Sequence, residues 1–195
     1  MERVVALKLY HFEASPYCEK VRYALKRLDL RFESAEIDPS DRSVVMTLSG
    51  QEKVPVLADG DMVIHDSTRI LRYLVSSCGG GRLLPDEARM RGLAWIIEEY
   101  ADEVLAPLLE RSRRGVDAEG QPLPEVGKNS LKTELAHHYE ALEQILGGDD
   151  YVLGSRPSLA DISLYAFLSR LELYSPRGIP AEYERIRAWY GWMKA

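Results

Sequence analysis

The sequence of 195 residues predicts an α/β domain followed by an all-α domain. Three observations support this prediction. Residues 1–77 alternate between short β-branched runs and segments with helical periodicity, whereas residues 86–195 show helical periodicity and no convincing strand. Between them, residues 78–85 combine three consecutive glycines with a proline, which is typical of a linker.

The first domain is predicted to have the order βαβ, then ββα. Short apolar runs predict four strands, at residues 4–10, 31–37, 54–57 and 62–64. Apolar residues at helical spacing predict helices at residues 16–28 and 67–76, with a short additional helix near residues 41–49. Because the first helix provides a crossover connection, the first two strands should be parallel. Asp59-Gly60 predicts a tight hairpin turn between the last two strands.

The second domain is predicted to consist of four helices. Helical spacing of apolar side chains predicts one long helix over residues 90–108 and further helices over residues 131–145, 159–171 and 183–193. Residues 113–130 are polar and contain three glycines and two prolines, which predicts a loop. Gly147-Gly148 should end the second of these helices.

The composition narrows the possible partners and metals. There are 31 acidic and 25 basic residues, and most of the net charge of −6 lies in the second domain, since residues 1–78 carry 11 basic and 12 acidic side chains. This balance disfavours a nucleic-acid or anionic-membrane partner. The two cysteines, Cys18 and Cys78, are too few for a disulfide framework or a four-cysteine zinc site. The four histidines lack zinc-ligand spacing, so we expect no metal.

The compartment is predicted from two absences in the sequence. There is no run of about 18 apolar residues that could form a transmembrane helix. The first residues lack the apolar stretch and cleavage site of a signal peptide. We therefore expect a cytoplasmic protein with no membrane partner.

The turn after the first strand, Ser15-Pro16-Tyr17-Cys18, carries the densest chemical signal. Ligands of open α/β sheets bind beyond the carboxyl ends of the strands, where this turn should lie. Ser15 followed by Pro16 is a strong helix start, and N–H groups in a first helical turn stabilise anions such as a thiolate. Alternatively, Ser15 only caps the helix and has no catalytic role. Cys18 is either a buried apolar side chain on the face of Val21 or a reactive thiol with a lowered pKa.

Two further segments contain candidate ligand-binding groups. Lys53-Val54-Pro55 opens the third strand with a proline, which cannot donate a ladder hydrogen bond and belongs at a strand start or edge. If the Val54-Pro55 bond is cis, as we predict, the backbone of Val54 can turn towards a peptide ligand. Asp66-Ser67 places a carboxylate and a hydroxyl at a helix start, where they either cap the helix or hold the two charged groups of an amino acid.

A fourth segment, Ser158 to Asp161, has the Ser-x-x-Asp spacing of a capping box before an apolar helix. We interpret this segment as structural. Asp161 should help to nucleate the core helix of the second domain.

These four segments, in this order, resemble the cytosolic glutathione transferase family over essentially the whole chain. That family joins a thioredoxin-like N-terminal domain to an all-helical C-terminal domain. The Ser15 turn resembles the active-site turn of the family, with serine where glutaredoxins carry their first cysteine. Val54-Pro55 resembles its cis-proline step, and Asp66-Ser67 resembles the pair that grips the γ-glutamyl group. The Ser158 segment resembles its capping box.

The resemblance implies roles for the site residues. Ser15 would be catalytic, donating a hydrogen bond to the sulfur of glutathione, the co-substrate, and favouring its thiolate. In many relatives a basic or amide residue before the Val-Pro step meets the glycine carboxylate, but residues 45–50 carry no charge here, and Lys53 is expected to take over. The residues that would bind glutathione are Lys53, Val54, Pro55, Asp66 and Ser67. An open acceptor site would be lined by His11, Tyr100 and Arg111.

The implied function is conjugation of glutathione to a small hydrophobic electrophile in detoxification, by a homodimer that pairs the first domain of one subunit with the second domain of the other. Two other functions remain open. One is a glutathione-dependent thiol oxidoreductase, or an enzyme like dehydroascorbate reductase, that uses Cys18 in a mixed disulfide. The other is a non-catalytic partner module in translation or transcription complexes, with residues 111–114 as an exposed basic contact.

Overall fold

The computed structural model describes residues 7–174 and 178–195. The chain forms two compact units, Met1–Leu84 and Pro85–Ala195. Within the predicted linker, Gly80–Leu83 forms a 3-10 helix that belongs to the first unit. A Cβ at Gly80 would lie 2.5 Å from the carbonyl oxygen of Leu74, so glycine is required for this helix to pack closely on the preceding one.

The first unit is built on a four-stranded mixed sheet. Its strands are β1 (Leu7–His11), β2 (Phe32–Glu36), β3 (Val56–Asp59) and β4 (Met62–His65), in the spatial order β2-β1-β3-β4. β1 and β2 are parallel, as the helical crossover predicts, and the other two pairs are antiparallel. The predicted start of the first strand at residues 4–6 lies outside the described residues.

Three helices complete the first unit: α1 (Pro16–Arg27), α2 (Ser43–Ser49) and α3 (Ser67–Ser77). α1 and α3 pack against each other. The apolar faces predicted from their spacing are inaccessible to solvent, together with the sheet residues beneath them: Leu9, Val21, Leu25, Leu57, Ile70, Leu71 and Leu74. Burial of each such side chain stabilises the fold by about 1.5–3 kcal/mol.

The second unit consists of helices joined by loops, which confirms the all-α prediction. The helices are α4 (Ala88–Tyr100), α5 (Ala106–Arg114), α6 (Glu125–Ile145), α7 (Leu159–Tyr174) and α8 (Glu184–Lys194). α7 is central: every residue from 159 to 168 is buried, which explains why its sequence is apolar on all sides. No helix within residues 7–174 and 178–195 is long and apolar enough to span a membrane.

The predicted single helix over residues 90–108 is wrong in one respect. α4 and α5 are joined by a π-helical turn, Ala101–Leu105, in which the Ala106 N–H bonds to the Ala101 carbonyl five residues earlier. Pro107 follows directly and has no N–H to continue the regular helical ladder. The hydrogen-bond pattern therefore changes just before the proline.

The predicted loop over residues 113–130 is too long, because α6 already begins at Glu125. Pro124 stands directly before the helix, and Lys128 Nζ lies 2.7 Å from Glu125 Oε1 in its first turn. Gly127 does not break the helix. The Leu123 side chain packs against Gly127, and any other residue here would clash with it, because its Cβ would lie only 2.6 Å from Leu123 Cδ2.

The predicted capping box is present at the start of α7. Oδ2 of Asp161 accepts hydrogen bonds from the N–H and the hydroxyl of Ser158, both at 2.8 Å. Oδ1 accepts from the Val152 N–H and from the indole N–H of Trp189, both at 2.9 Å. Asp161 is inaccessible to solvent, so it ties α7 to α8 and to the preceding loop.

Candidate active site

Three segments of the first unit meet at one end of its sheet. Tyr10, near the end of β1, pairs with Val56, the first residue of β3, and Val56 pairs with His65, the last residue of β4. The chain continues from these positions into the Ser15 turn, the Val54-Pro55 step and the start of α3. The register thus brings together the candidate residues of this unit: Ser15, Lys53, Val54, Pro55, Asp66 and Ser67.

Ser15 is the N-cap residue of α1. Its Oγ accepts a hydrogen bond from the Cys18 N–H at 3.3 Å, and Pro16 occupies the first helical position. The side chain is half-buried, and its hydroxyl proton has no acceptor among the described residues. A serine hydroxyl both accepts and donates, so Ser15 can donate to an anion at the positive end of the helix.

A buried arginine holds the loop that precedes Ser15. The Arg22 guanidinium donates to Glu13 Oε2 at 2.7 Å and to the Glu13 carbonyl at 3.1 Å, and it forms a second ion pair with Glu19. Only 6% of Arg22 is exposed. Arg22 was not predicted from the sequence. The sequence did contain a signal for it: Arg22 lies on the apolar face of α1, three residues after Glu19, at a spacing that allows an ion pair.

His11 lies inside the first unit, with 3% of its surface exposed. Its Nδ1 lies 3.0 Å from Arg22 Nη1, which can only donate, and its Nε2 lies 2.7 Å from Ser34 Oγ. Burial and the neighbouring Arg22 charge lower the pKa of His11. Both ring nitrogens are engaged, so the expectation that His11 lines an acceptor site does not fit its position.

The Val54-Pro55 peptide bond is cis, as predicted. The side chain of Gln51 hydrogen-bonds to both backbone groups of Lys53, the residue before Val54. The Lys53 N–H donates to Gln51 Oε1, and Gln51 Nε2 donates to the Lys53 carbonyl, both at 2.7 Å. The backbone of Lys53 is therefore fixed while its side chain is exposed.

Asp66 and Ser67 form the start of α3. Asp66 has φ +75°, a region that non-glycine residues rarely occupy and that is frequent at ligand sites. Its Oδ1 accepts the Arg69 N–H at 3.1 Å, and its second oxygen has no partner among the described residues. Ser67 is 3% exposed, and no described residue bonds its hydroxyl. Two polar groups at this helix start are thus available to a ligand.

Arg42 is a further cation near the same segments. Its guanidinium lies 5.1 Å from the centre of the Phe12 ring, and its Nη1 donates to the Glu52 carbonyl at 3.3 Å. Phe12 leads into the Ser15 turn, and Glu52 precedes Lys53. Arg42, which lies just before α2, was not predicted from the sequence, because it precedes the uncharged residues 45–50 and Lys53 was expected to provide the cation.

Neither cysteine is fully exposed, as a reactive thiol would need to be. Cys18 is inaccessible to solvent on the core face of α1, which agrees with the first of its two interpretations. Cys78 is half-buried after α3, and burial raises the pKa of its thiol. Raised pKa values reduce the thiolate fraction and therefore reactivity.

The remaining acceptor-site candidates lie in the second unit. Tyr100 ends α4, and its hydroxyl lies 2.5 Å from Nδ1 of His138. Arg111 on α5 lies 3.7 Å from Glu134 on α6 in an ion pair. Across the described ranges, no three histidine, cysteine or acidic side chains come together as metal ligands.

Two family models match the chain. Residues 9–80 match the N-terminal domain of glutathione S-transferases, and residues 125–191 match the C-terminal domain. The first match contains the Ser15 turn, the Val54-Pro55 step and Asp66-Ser67. The second contains Asp161 and Trp189.

Individual known proteins are similar to this chain over most of its length. Glutathione S-transferase U28 of Arabidopsis thaliana is 28% identical over 184 residues, 91% of this chain and 80% of the relative. A stringent starvation protein A homolog of Pasteurella multocida is 25% identical over 167 residues, 85% of this chain and 75% of the relative. Rice GST1, solved in complex with glutathione, aligns with a TM-score of 0.83 and 25% identity over 97% of this chain and 86% of that chain. Because both domain models match in order and cover most of its length, the chain belongs to the glutathione S-transferase family of transferases.

Proposed function

We propose that this protein joins the sulfur of glutathione to small hydrophobic electrophiles, with Ser15 as the catalytic residue. The geometry of Ser15 carries the proposal: its oxygen accepts the Cys18 N–H, and its own proton is available to a sulfur at the start of α1. The thiol proton passes to solvent, and the thiolate is stabilised by Ser15. A sulfur lone pair then forms the S–C bond while the leaving group departs with its electron pair.

The energies are sufficient for this role. A cysteine-type thiol has a pKa of about 8.5, and lowering it by one unit requires about 1.4 kcal/mol. A helix N-terminus contributes about 0.3–1 kcal/mol, and a hydrogen bond to a charged group contributes about 1.5–3 kcal/mol. Together they lower the pKa of the glutathione thiol by about one to three units, which ionises a substantial share of it near neutral pH.

We assign the charged ends of glutathione to groups of opposite charge. The unpaired oxygen of Asp66 attracts the α-ammonium of the γ-glutamyl group, and the Ser67 hydroxyl at the N-terminus of α3 attracts its α-carboxylate. The backbone at Val54 and Pro55 is assigned to the cysteinyl part. Arg42 and Lys53 are assigned to the glycine carboxylate, and Arg42 is favoured because Phe12 and the Glu52 carbonyl hold its guanidinium in place.

Among the acceptor-site candidates, we retain Tyr100 and Arg111 and omit His11, whose ring nitrogens are both engaged. The thiol oxidoreductase is the weaker alternative, because attack on a disulfide requires an accessible thiolate and Cys18 has no exposed surface. A partner module remains the second candidate, since one relative is named a stringent starvation protein A homolog and not a transferase.

We further propose a cytoplasmic homodimer that acts in detoxification, in which domain 1–77 of one subunit packs on domain 86–195 of the other. The support is membership of a family whose members usually pair in this way. Light scattering at micromolar concentration should give twice the mass of the chain. The mass of a single chain would contradict the dimer.

Calorimetric titration with glutathione tests the binding site. The wild-type chain should show saturable binding, and Asp66→Asn should weaken it by about ten-fold, which corresponds to about 1.4 kcal/mol of lost attraction for the ammonium. Asparagine still caps α3, so the fold should be kept. Asp61→Asn, at an exposed position between β3 and β4, is the matched control and should bind like wild type. If the wild-type chain does not bind glutathione, the partner module replaces the transferase.

A further inference from the structure

The second unit contains a cavity of about 280 Å³ that lies between the end of α6, the loop after it and one face of α8. Its lining includes Asp149 and Asp150 from the loop and Arg185, Trp189 and Trp192 from α8. These α8 residues are spaced by four and three positions, which places them on the same face of the helix. None of the lining residues belongs to the glutathione site or to the acceptor-site candidates, so a ligand of this cavity is separate from the proposed reaction.

The loop and α8 run side by side along the cavity. At one end, a Cβ at Gly147 would lie 3.0 Å from Arg185 Nη1, so the guanidinium covers this glycine. At the other end, the centres of the Tyr151 and Trp192 rings are 6.2 Å apart. Residues seven apart in a helix are separated by about 10 Å along its axis. The stretch 148–150 between these two contacts therefore spans the cavity.

This stretch carries two carboxylates that face solvent. Asp149 and Asp150 are exposed, and no residue within 7–174 and 178–195 forms a hydrogen bond or an ion pair with either side chain. The one cation in the lining is engaged elsewhere, because Arg185 Nη1 donates at 3.2 Å to the Glu143 carbonyl in the last turn of α6. The end of α6 is itself a region of negative potential. The middle of the cavity is therefore favourable for a cation.

Trp192 adds an aromatic surface to these charges. Its side chain is 48% exposed, whereas Trp189 is inaccessible to solvent and donates its indole N–H to Asp161. The face of an indole ring attracts cations more strongly than that of any other side chain. A planar guanidinium fits such a surroundings best, since it stacks on an aromatic ring and donates to carboxylate oxygens at its edge at the same time.

We propose that this cavity binds a guanidinium group on an apolar stem, stacked on Trp192 and donating to Asp149 and Asp150. The size is suitable, because pockets that enclose whole ligands measure about 300–1,000 Å³, so this cavity accommodates one side chain or a molecule of similar size. Residues 79–195 carry 19 acidic and 14 basic side chains, an excess that attracts cations from a distance. The site consists of residues of the second unit alone, so the proposal does not rest on glutathione binding.

The first probe is ethylguanidinium, added to the full-length chain at constant ionic strength. The nuclear magnetic resonance signals of the backbone amides of Gly147 and Gly148, which line the cavity, report binding. These signals should shift saturably, and ethylammonium, which cannot stack or bond in a fork, should bind about three- to ten-fold more weakly. Trp192→Leu should weaken ethylguanidinium binding by about two- to five-fold, as expected for an exposed cation–π contact.

A double variant tests the carboxylates. Asp149→Asn with Asp150→Asn should weaken ethylguanidinium binding by about ten-fold or more, because both charged acceptors are lost. The matched control is Glu103→Gln with Glu119→Gln, which removes two exposed carboxylates that do not line the cavity and should bind like wild type. Far-ultraviolet circular dichroism checks that each variant is folded. If Trp192→Leu does not fold, the double variant and the comparison with ethylammonium still test the proposal.

A second probe distinguishes the two sources of a guanidinium. The peptide acetyl-Gly-Ser-Arg-Ser-Gly-amide should bind at least as tightly as ethylguanidinium if the occupant is an arginine of a partner protein, and more weakly if it is a free small molecule. Either result supports the guanidinium site. The proposal is overturned by the absence of a saturable shift with ethylguanidinium, by equal affinities for ethylguanidinium and ethylammonium, or by equal weakening in the aspartate variant and its control.

Discussion

The backbone N–H of Cys18 donates a hydrogen bond to the hydroxyl oxygen of Ser15 over 3.3 Å. This contact fixes Ser15 at the start of α1 and leaves its proton available, while the Cys18 side chain is inaccessible to solvent. In the proposed mechanism, the two residues therefore have separate roles. Ser15 meets the sulfur of glutathione, and Cys18 contributes a backbone donor and core packing.

The first prediction concerns Cys18. Cys18→Ala keeps the backbone N–H that caps Ser15, so it should change the rate of conjugation of a test electrophile by less than about three-fold. Its cost should appear as reduced stability, because a buried sulfur is lost. Steady-state kinetics and chemical denaturation measure the two effects. Cys78→Ala is the control, and loss of turnover in Cys18→Ala alone would favour the thiol oxidoreductase.

The second prediction concerns Arg22, which bonds to both the side chain and the backbone of Glu13. Arg22→Lys keeps the charge but cannot form both guanidinium hydrogen bonds to Glu13, so the loop before Ser15 should become more mobile. We expect kcat/KM for glutathione to fall by about three- to ten-fold, equivalent to one lost hydrogen bond. Arg27→Lys, at an exposed position in the last turn of α1, should be silent. Equal kinetics for both variants would show that Arg22 does not position the loop.

The third prediction concerns pH. The pKa of His11 is lowered by burial and by Arg22, so below about pH 6.5 the unfolded chain binds a proton that the folded chain does not. The free energy of unfolding should therefore fall as the pH drops from about 7.5 to about 5.5, by up to about 1.4 kcal/mol for each unit of lowering. Urea unfolding at both pH values measures this loss.

His11→Asn provides the comparison, because the asparagine oxygen can still accept from Arg22 while the titrating group is gone. This variant should be less stable overall but should lose less stability on acidification than wild type. His137→Asn, at an exposed position on α6, should keep the wild-type slope. The same slope in His11→Asn as in wild type would assign the pH dependence to other groups.

The fourth prediction separates Asp161 from Ser158. Sequence alone predicts a similar cost for either alanine substitution, about 0.5–2 kcal/mol for a lost cap. Asp161 also accepts bonds from Val152 and from Trp189, so Asp161→Ala leaves several buried donors unsatisfied and should cost about 3–5 kcal/mol. Ser158→Ala should remain near the lower range. Equal unfolding free energies for the two variants would contradict the role of the Trp189 contact.

The features that were predictable from the sequence are local. Apolar spacing, the Gly-rich break and the helix starts at Ser15 and Asp66 depend on neighbouring residues, and they predicted the order of elements and most of the candidate site. The start of α6 was missed because a helical Gly127 resembles a breaker until its contact with Leu123 is seen. The π turn before Pro107 was also missed, because the sequence does not show how the backbone hydrogen bonds of the helix rearrange next to a residue without an N–H.

The features that were missed depend on long-range contacts. Arg22 and Arg42 gain their roles from the loop at Glu13, the Phe12 ring and the Glu52 carbonyl, none of which spacing predicts. His11 is different, because its burial was detectable: it follows Leu7 and Leu9 at the period of two that defines the buried face of β1.

The central claim is that Ser15 stabilises the thiolate of bound glutathione. The most direct test is the pKa of the bound thiol, measured from the ultraviolet absorbance of the thiolate as a function of pH. In the wild-type complex this pKa should lie about one to three units below the usual value of about 8.5, and Ser15→Ala should raise it by at least about one unit, with about a ten-fold loss of kcat/KM. Ser15→Thr, which retains the hydroxyl, should restore most of the shift. An equal pKa in the wild-type and Ser15→Ala complexes would contradict the account.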